Sequence, residues 1–588
     1  MTSPESQPVQ AAPDTRGENA APAPGRRLRK PWGDVLRGIA AACCGFLLWA
    51  AFPPLENWES AWVALIPLLL MAHVSRPAVS FRWGWLGGMV FWLLSLSWLL
   101  RLSRTGGWPP LVALGWVALS AYCALYVGAF AAAAAFLMRR LTAPDRGPPW
   151  FRNLGIGRLL LVIVLPAVWC GLEHIRGTWF TGFGWNTLGV SQFRNPAVIQ
   201  WAAWGGVYAV SAPMVALNAA LALTAIDIVP GFGTVRRRLH PELLLGLVMA
   251  SATWIGGARM AASERAAASR TKRDTVKVAA VQPAIPQRKK WTADAVDRIY
   301  RELETQTRFA ELGRPELIVW PETALPASLP NDSRSLDFVR DVADRTPLLV
   351  GSMEATPETS PEEPAFSNSV FLFDADGRIR QVYRKVHLVP FGEYIPFDRH
   401  VPLLKRMAPL GFSCRAGREI TVFRLPDRPE AAFSSLICFE DTIPSLAREA
   451  VGSGARFLVN QTNDAWFDGT VGPLQHLSQC VFRSVENRVD TVRVANTGVT
   501  CHIDAAGRIV SVLSDGGNDR TPVAGFALYA VGLRPSNRPP TPYGRGGDLL
   551  FGVPCQGVTL ALGAWALLHG IAARRRERKD GDGGRRTS

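Results

Sequence analysis

SSLICFEDTIP, residues 434–444, ends an apolar run on a cysteine and turns at once into two carboxylates. Residues 433–437 are apolar or small and read as a buried strand with Cys438 at its end. Phe439, Glu440 and Asp441 follow, and Pro444 closes the stretch. A lone cysteine behind Leu-Ile is ordinarily a small core hydrophobe. It becomes a nucleophile only where neighbouring groups supply a base and a positive charge.

The surroundings of this stretch read as an α/β domain. Short β-rich runs occur at VKVAAVQ (276–282), ELIVWPE (316–322), PLLVGS (347–352), NSVFLFD (368–374), FSSLICFE (433–440) and RFLVNQ (456–461). Between them, 293–312 carries Val296, Ile299, Leu303 and Leu312 near helical spacing behind Thr292 as a cap. FLFDADGRIRQVYRK and CHIDAAGRIVSVL read as hairpins around Asp-Ala-Asp-Gly and Asp-Ala-Ala-Gly turns.

Outside this domain the chain changes character. Of 588 residues 48% are hydrophobic, and there are 21 Trp against 8 Tyr, a balance expected of a protein that is half membrane. Eight apolar segments lie near 35–54, 59–75, 83–101, 111–138, 157–173, 197–226, 242–260 and 549–573. The charge-free run 111–138 is long enough to cross about 30 Å of hydrocarbon, and a Pro sits inside both 59–75 and 157–173. The first segment, behind a long polar start and ahead of further spans, reads as an uncleaved anchor.

The net charge of +16 is concentrated beside these segments. Arg26–Lys30, Arg236–Arg238 and Arg574–Arg576 each abut an apolar run, as cytoplasmic flanks do, which argues against nucleic-acid binding. Arg76, Arg82, Arg139, Arg140, Arg146, Arg152 and Arg158 fall in alternate loops. The positive-inside rule then places both termini in the cytoplasm and the insert 261–548 outside. A transporter is disfavoured: Glu173 and Asp227 sit near segment ends rather than at midplane. Five cysteines lie in apolar runs, and no Cys/His spacing suggests a metal. Pairing among Cys414, Cys480 and Cys501 is permitted but not demanded by the spacing.

Three stretches of the insert end on groups that do chemistry together. WPETALP places Glu322 after a strand, YRKVHLVPFGEYIP carries Lys385 and Glu393, and the opening stretch carries Cys438. Singly they read as a solvated acid, a surface lysine and a core thiol. In this order and in these contexts they resemble the nitrilase (carbon–nitrogen hydrolase) superfamily. With membrane helices before and after the domain, the chain looks like the apolipoprotein N-acyltransferase family within it. VQPAIPQRKKW (281–291), FSNSV (366–370), NDAWF (463–467), GPLQH (472–476) and TGFGWNTLGVSQ (181–192) carry the same resemblance. The Ala/Pro-rich start is outside the family pattern, and Phe439 stands where many members carry Tyr.

Composition reads 1–31 as a disordered cytoplasmic tail, and hydropathy reads a membrane domain of seven helices over 32–262 and a C-terminal helix at 549–573 ahead of a basic cytoplasmic tail, 574–588. The resemblance implies an αββα sandwich over 275–532. It implies transfer of an acyl chain from a phospholipid to the α-amino group of a diacylglyceryl-cysteine apolipoprotein, in a bacterial inner membrane, with the catalytic domain outside the cytoplasm. Cys438 is the expected nucleophile, Glu322 the base and Lys385 the oxyanion partner. Glu393, Asn368 and Glu440 are expected to support the site, and His387 to be a structural neighbour. Trp291, Trp466, Trp185 and Arg176 are expected at substrate-contacting positions, with core packing weighed against each. A monomer without metal or cofactor is expected. An enzyme with water as acceptor, a membrane-tethered amidase or nitrilase, is the rival reading. Apolar residues between Phe397 and Phe412, with Lys405 and Arg406, suggest a lid that dips into the bilayer interface, with an ordinary core segment as the alternative.

Overall fold

The computed structural model describes residues 30–142, 155–229, 239–270, 274–288, 290, 293–355, 366–396, 413–514 and 523–585. The N-terminal tail 1–29, Trp291 and the suggested lid 397–412 lie outside them.

Among the described residues six helices are long and apolar enough to span a bilayer, and a seventh counts if Pro77–Ser95 and Ser97–Thr105, bent by 47°, form one span. The expectation of eight is corrected at 59–75. That segment forms a 3-10 turn, Trp58–Trp62, and a nine-residue helix, Ile66–Val74, only about 14 Å long. Pro67 in its first turn starts the helix rather than sitting inside one. The break is sealed by Asn218 from the helix Ala202–Ile228, whose Oδ1 accepts from Leu65 N at 2.8 Å and whose Nδ2 donates to Ala61 O at 3.0 Å. A polar side chain thus satisfies backbone groups that water cannot reach.

Small residues let the spans approach closely. A Cβ on Gly88 would lie 2.9 Å from Ala124 Cα, and one on Gly84 2.6 Å from Ala131 Cβ, so Pro77–Ser95 and Pro109–Leu141 meet backbone to backbone. The C-terminal helix returns to the bundle in the same way: a Cβ on Gly171 would lie 2.4 Å from Cys555 O. This helix, Gly552–Arg585, continues past the end of its candidate span at Ala572.

Among the described residues between the last two spans lie twelve strands: β1 Thr275–Gln282, β2 Leu317–Val319, β3 Leu348–Ala355, β4 Phe366–Phe373, β5 Ile379–Arg384, β6 Phe423–Leu425, β7 Arg428–Ile437, β8 Phe457–Thr462, β9 Asp490–Ala495, β10 Cys501–Ile503, β11 Ile509–Val512 and β12 Gly525–Gly532. They form two six-stranded sheets, ordered β12-β1-β2-β3-β4-β5 and β11-β10-β9-β8-β7-β6. Neighbours β1–β2–β3 and β7–β8–β9 are parallel, with antiparallel edges. Strand alternation builds the layers. Val276, Val278 and Ala280 face Phe433, Phe457 and Val492 of the other sheet, while Ala279 and Val281 face outward to Ile299 and Leu303 of the helix Ala293–Glu311. Helix Pro444–Gly452 covers part of the second sheet, giving helix, sheet, sheet, helix.

The helix Gly472–Asn487 joins the two halves of the molecule. Every one of its residues is buried, and Leu474, Leu477 and Val481 belong to the same apolar cluster as the membrane helices. Gln475 crosses the junction: Oε1 accepts from Trp98 Nε1 at 3.1 Å and Trp185 Nε1 at 2.8 Å, and Nε2 donates to Pro53 O at 3.1 Å.

Candidate active site

Strands β2, β5 and β7 deliver Glu322, Lys385 and Cys438 just past their C-terminal ends. Cys438 is half-buried and sits at φ 53°, a left-handed conformation costing on the order of 1–3 kcal/mol for a non-glycine residue. Hydrogen bonds on both sides hold it there. Glu440 Oε2 accepts from Ile437 N at 2.7 Å, and Asn460 Nδ2 donates to Leu436 O at 3.0 Å and Cys438 O at 3.2 Å.

Glu440 is fully buried and ties this turn to the segment after β5. Its Oε1 accepts from Tyr383 Oη at 2.9 Å, Val386 N at 2.7 Å and His387 N at 3.0 Å. Burial raises its carboxyl pKa, partly offset by Lys385 and these donors. Its oxygens point to the scaffold, as a positioning group requires.

Glu322, Asn368, Lys385 and Glu393 form one buried polar group. Asn368 Nδ2 reaches Glu322 Oε1 at 2.7 Å and Glu393 Oε1 at 3.0 Å, and Asn463 N donates to Glu322 Oε2 at 2.8 Å. Lys385 Nζ lies 2.8 Å from Glu393 Oε2 and 3.9 Å from Glu322 Oε1. Burial opposes the Lys385 charge, but Glu393 first, then Cys438 and Glu322, hold its pKa above the usual lysine value. Burial and the Glu322 carboxylate push the Cys438 thiol well up, with Lys385 pulling the other way. Cys438 therefore rests as a neutral thiol beside a carboxylate and a fixed cation. His387 is held neutral, its pKa lowered by burial and by Lys385.

Rings line the approach. Phe439 lies between Trp185, at 6.2 Å between centroids and 4° between planes, and His387, also at 6.2 Å. Trp185 is buried, and Trp466 is half-buried in the turn Asp464–Phe467. Arg176 is turned inward: Nη1 donates to Phe183 O and Trp185 O, both at 2.7 Å, and the guanidinium covers the Trp92 ring. It holds the loop that carries Trp185. All nine cysteines are free; Cys414, Cys480 and Cys501 are buried and unbonded.

Several site residues were not found by sequence reasoning. Gly351 on β3 passes so close to Glu322 that a Cβ would lie 2.3 Å from Pro321 O and 2.9 Å from Glu322 Cα. Gly351→Ala is expected to shift Glu322 and cut the rate about 10²-fold, the cost of roughly 1 Å misplacement, with the protein still folded. Rates and a circular dichroism spectrum on the same preparation test this. Lys290 is buried with Nζ 2.8 Å from Thr323 Oγ1, and burial lowers its pKa to about 8 against the pull of Glu322.

Behind the nucleophile turn lies a buried charge cluster. Arg493 Nη1 meets Asp441 Oδ2 at 2.7 Å and Asn460 Oδ1 at 2.6 Å, and Nη2 meets Asp464 Oδ2 at 2.9 Å. His476 bridges Asp441 Oδ1 at 2.9 Å and Asp464 Oδ1 at 3.0 Å. Burial disfavours its charge, yet Asp441 and Asp464 raise its pKa to about 9, against the repulsion of Arg493. With His476 protonated, two cations meet two carboxylates. NDAWF and GPLQH held Asp464 and His476 in view, but nothing local showed that Arg493, inside β9, closes the cluster.

The folded pKa of His476 exceeds its ordinary value of 6.5, so its stabilising effect is complete below 6.5 and lost as pH rises through about 9. The loss is on the order of 3 kcal/mol. Lys290, lowered to about 8, titrates in the opposite sense over part of this range. The difference in thermal midpoint between the protein and its His476→Gln variant, scanned from pH 6 to 10, therefore isolates the histidine, and it should shrink above pH 9.

Residues 44–220 match the family model described as the apolipoprotein N-acyltransferase N-terminal domain, and residues 277–523 match carbon-nitrogen hydrolase. A Geobacter metallireducens protein named apolipoprotein N-acyltransferase is 34% identical over 496 residues, 82% of this chain and 89% of that one. Proteins of the same name from Chlorobaculum tepidum and Rhizobium rhizogenes are each 31% identical, over 79% and 82% of this chain and 86% and 88% of their own. Alike along its membrane helices and its α/β sandwich, the chain belongs to the apolipoprotein N-acyltransferase family, multi-pass membrane acyltransferases carrying a carbon–nitrogen hydrolase domain.

Proposed function

We propose that this enzyme moves an acyl chain from a membrane phospholipid to the α-amino group of a diacylglyceryl-cysteine at the N-terminus of an apolipoprotein. The supporting observation is the site itself: a thiol, a buried carboxylate and a buried ammonium, adjoining a turn whose Phe439 stacks on Trp185 of the membrane domain. A site adjoining the membrane domain in this way suits lipid-anchored substrates.

In the first half-reaction the Cys438 thiol gives its proton to Glu322, and sulfur attacks the ester carbonyl. The oxyanion that forms is stabilised by Lys385, a preorganised cation in a low-dielectric site. Collapse expels the lysophospholipid oxygen, which takes the proton from Glu322 and leaves a thioester on Cys438. In the second half-reaction the acceptor amine attacks the thioester while Glu322 takes an amine proton. Expulsion of sulfur forms the amide, and Glu322 returns the proton to Cys438. One covalent intermediate shared by two half-reactions makes the kinetics ping-pong.

Glu393 and Asn368 fix Lys385 and Glu322 against each other, and Glu440 fixes the nucleophile turn. Trp185, with Phe439, forms a wall beside the thiol, Trp466 lies on the neighbouring turn, and Trp291 is assigned to substrate contact by resemblance. The charge bias of the loops supports cytoplasmic termini and an extracytoplasmic catalytic domain in the inner membrane. The enzyme incubated with phospholipid and a diacylglyceryl-cysteine peptide should yield N-acyl peptide and lysophospholipid in equal amounts. Free fatty acid with no N-acyl peptide would favour the amidase reading, in which water is the acceptor.

A further inference from the structure

A cavity of about 480 Å³, remote from the active site, is lined by Arg424, Arg448, Arg456, Arg534, Arg538 and Glu430. It opens beside Ala432 in the middle of β7, six residues and about 20 Å of extended chain from Cys438. Its charge is poorly balanced. Among the described residues only Arg538 of these arginines is matched by a carboxylate, Glu264, through two bonds of 2.6 Å. Arg456 is occupied by the carbonyls of Arg534, at 2.7 Å, and Glu430, at 2.9 Å. Arg534 gives Nη2 to the carbonyls of Arg538 and Pro539, while its Nε is buried without a partner. Arg448 forms no hydrogen bond or ion pair among the described residues.

A buried guanidinium edge left open is costly unless an acceptor reaches it. Five guanidiniums, one paired with Glu264, against Glu430, whose carboxylate bonds Arg428 Nε at 3.3 Å, leave the cavity lining net positive. The fold also sets its height. Glu264 falls in the last turn of the candidate span Pro241–Ala267, and the wall carrying Thr541 and Gly544 leads into the C-terminal span through the short helix Pro542–Gly546. Two candidate spans therefore end beside the rim, the level expected of lipid headgroups for helices that cross a bilayer.

We propose that this cavity is a phosphate-binding site, separate from the acyl-donor site, that takes the phosphate of an anionic lipid headgroup between Arg448 and Arg534. Planar guanidiniums match phosphate oxygens in pairs, which lysines do not. A headgroup held there would tie the catalytic domain to the bilayer at the side away from Cys438.

Native mass spectrometry of the full-length protein, titrated with phosphatidylglycerol, phosphatidylcholine or inorganic phosphate, tests this. The protein should hold one phosphatidylglycerol more tightly than phosphatidylcholine, and Arg448→Gln should weaken that binding about tenfold, the scale of one charged hydrogen bond. Reaction of Cys438 with a small soluble ester should be unchanged in this variant. Arg534→Gln should weaken binding further if it folds; Arg448, having no internal partner, keeps the test independent of that. Inorganic phosphate binding with the same loss in Arg448→Gln, without a preference for phosphatidylglycerol, would establish the phosphate site with a soluble occupant. Equal retention of phosphatidylglycerol and phosphate by the protein and by Arg448→Gln would overturn the proposal.

Discussion

Cys438→Ala is expected to lower N-acylation below detection, a loss on the order of 10⁶-fold where one residue carries the covalent step. No other group can take over. Glu322 and Glu393 are carboxylates bound to Asn368, and Lys385 is held as a cation by Glu393. A rival thiol is Cys414, which feels the charges of Glu393, Lys385 and Glu322, whose amide donates to Glu393 O at 2.7 Å and whose pKa is pushed up to about 12, chiefly by burial. It sits among the same charges but is closed off, so it supplies neither access nor thiolate. The product peptide, weighed by mass spectrometry after long incubation, measures the residual rate. Folding should be little affected, because Glu440 and Asn460 hold the turn through its backbone.

Lys385→Met is expected to have two separable effects. Losing the oxyanion partner should slow acylation about 10²–10³-fold. Removing the cation also leaves Glu393 buried beside Asn368 with no opposite charge, which should destabilise the protein by about 3–5 kcal/mol. The double variant Lys385→Met/Glu393→Gln separates them. Replacing the stranded carboxylate with an amide should recover most of the thermal midpoint and none of the rate. Recovery of both would mean that Lys385 acts only as a structural partner of Glu393.

Chemistry was more legible in the sequence than assembly. Glu322, Lys385 and Cys438 stand at strand ends, and strand ends show as short β-rich runs. The hairpin between β4 and β5 was equally readable, since Asp374 accepts from Asp376 N and Arg378 N around Gly377 at φ 71°. What escaped is polar structure buried on all sides. Helix Gly472–Asn487 has no solvent face, so Gln475, His476 and Arg483 interrupt its apolar pattern while each makes a buried bond. Arg493 sits wholly buried in β9, where a charged residue reads as exposed until Asp441 and Asp464 are seen beside it. The apolar stretch 59–75 looked like a span because hydropathy cannot register the break that Asn218 seals from another helix. The sequence weighed substrate contact against packing for Arg176 without showing the loop carbonyls of Phe183 and Trp185 that its guanidinium meets.

The central claim is that the acyl chain rests on Cys438 between donor and acceptor. Intact-protein and peptide mass spectrometry after incubation with phospholipid alone tests it most directly. A single acyl adduct on the peptide containing Cys438, released by hydroxylamine and discharged to N-acyl peptide when the diacylglyceryl-cysteine acceptor is added, is the predicted result. Formation of N-acyl peptide by a preparation that never carries an adduct on Cys438, or that carries it on another residue, would contradict the account.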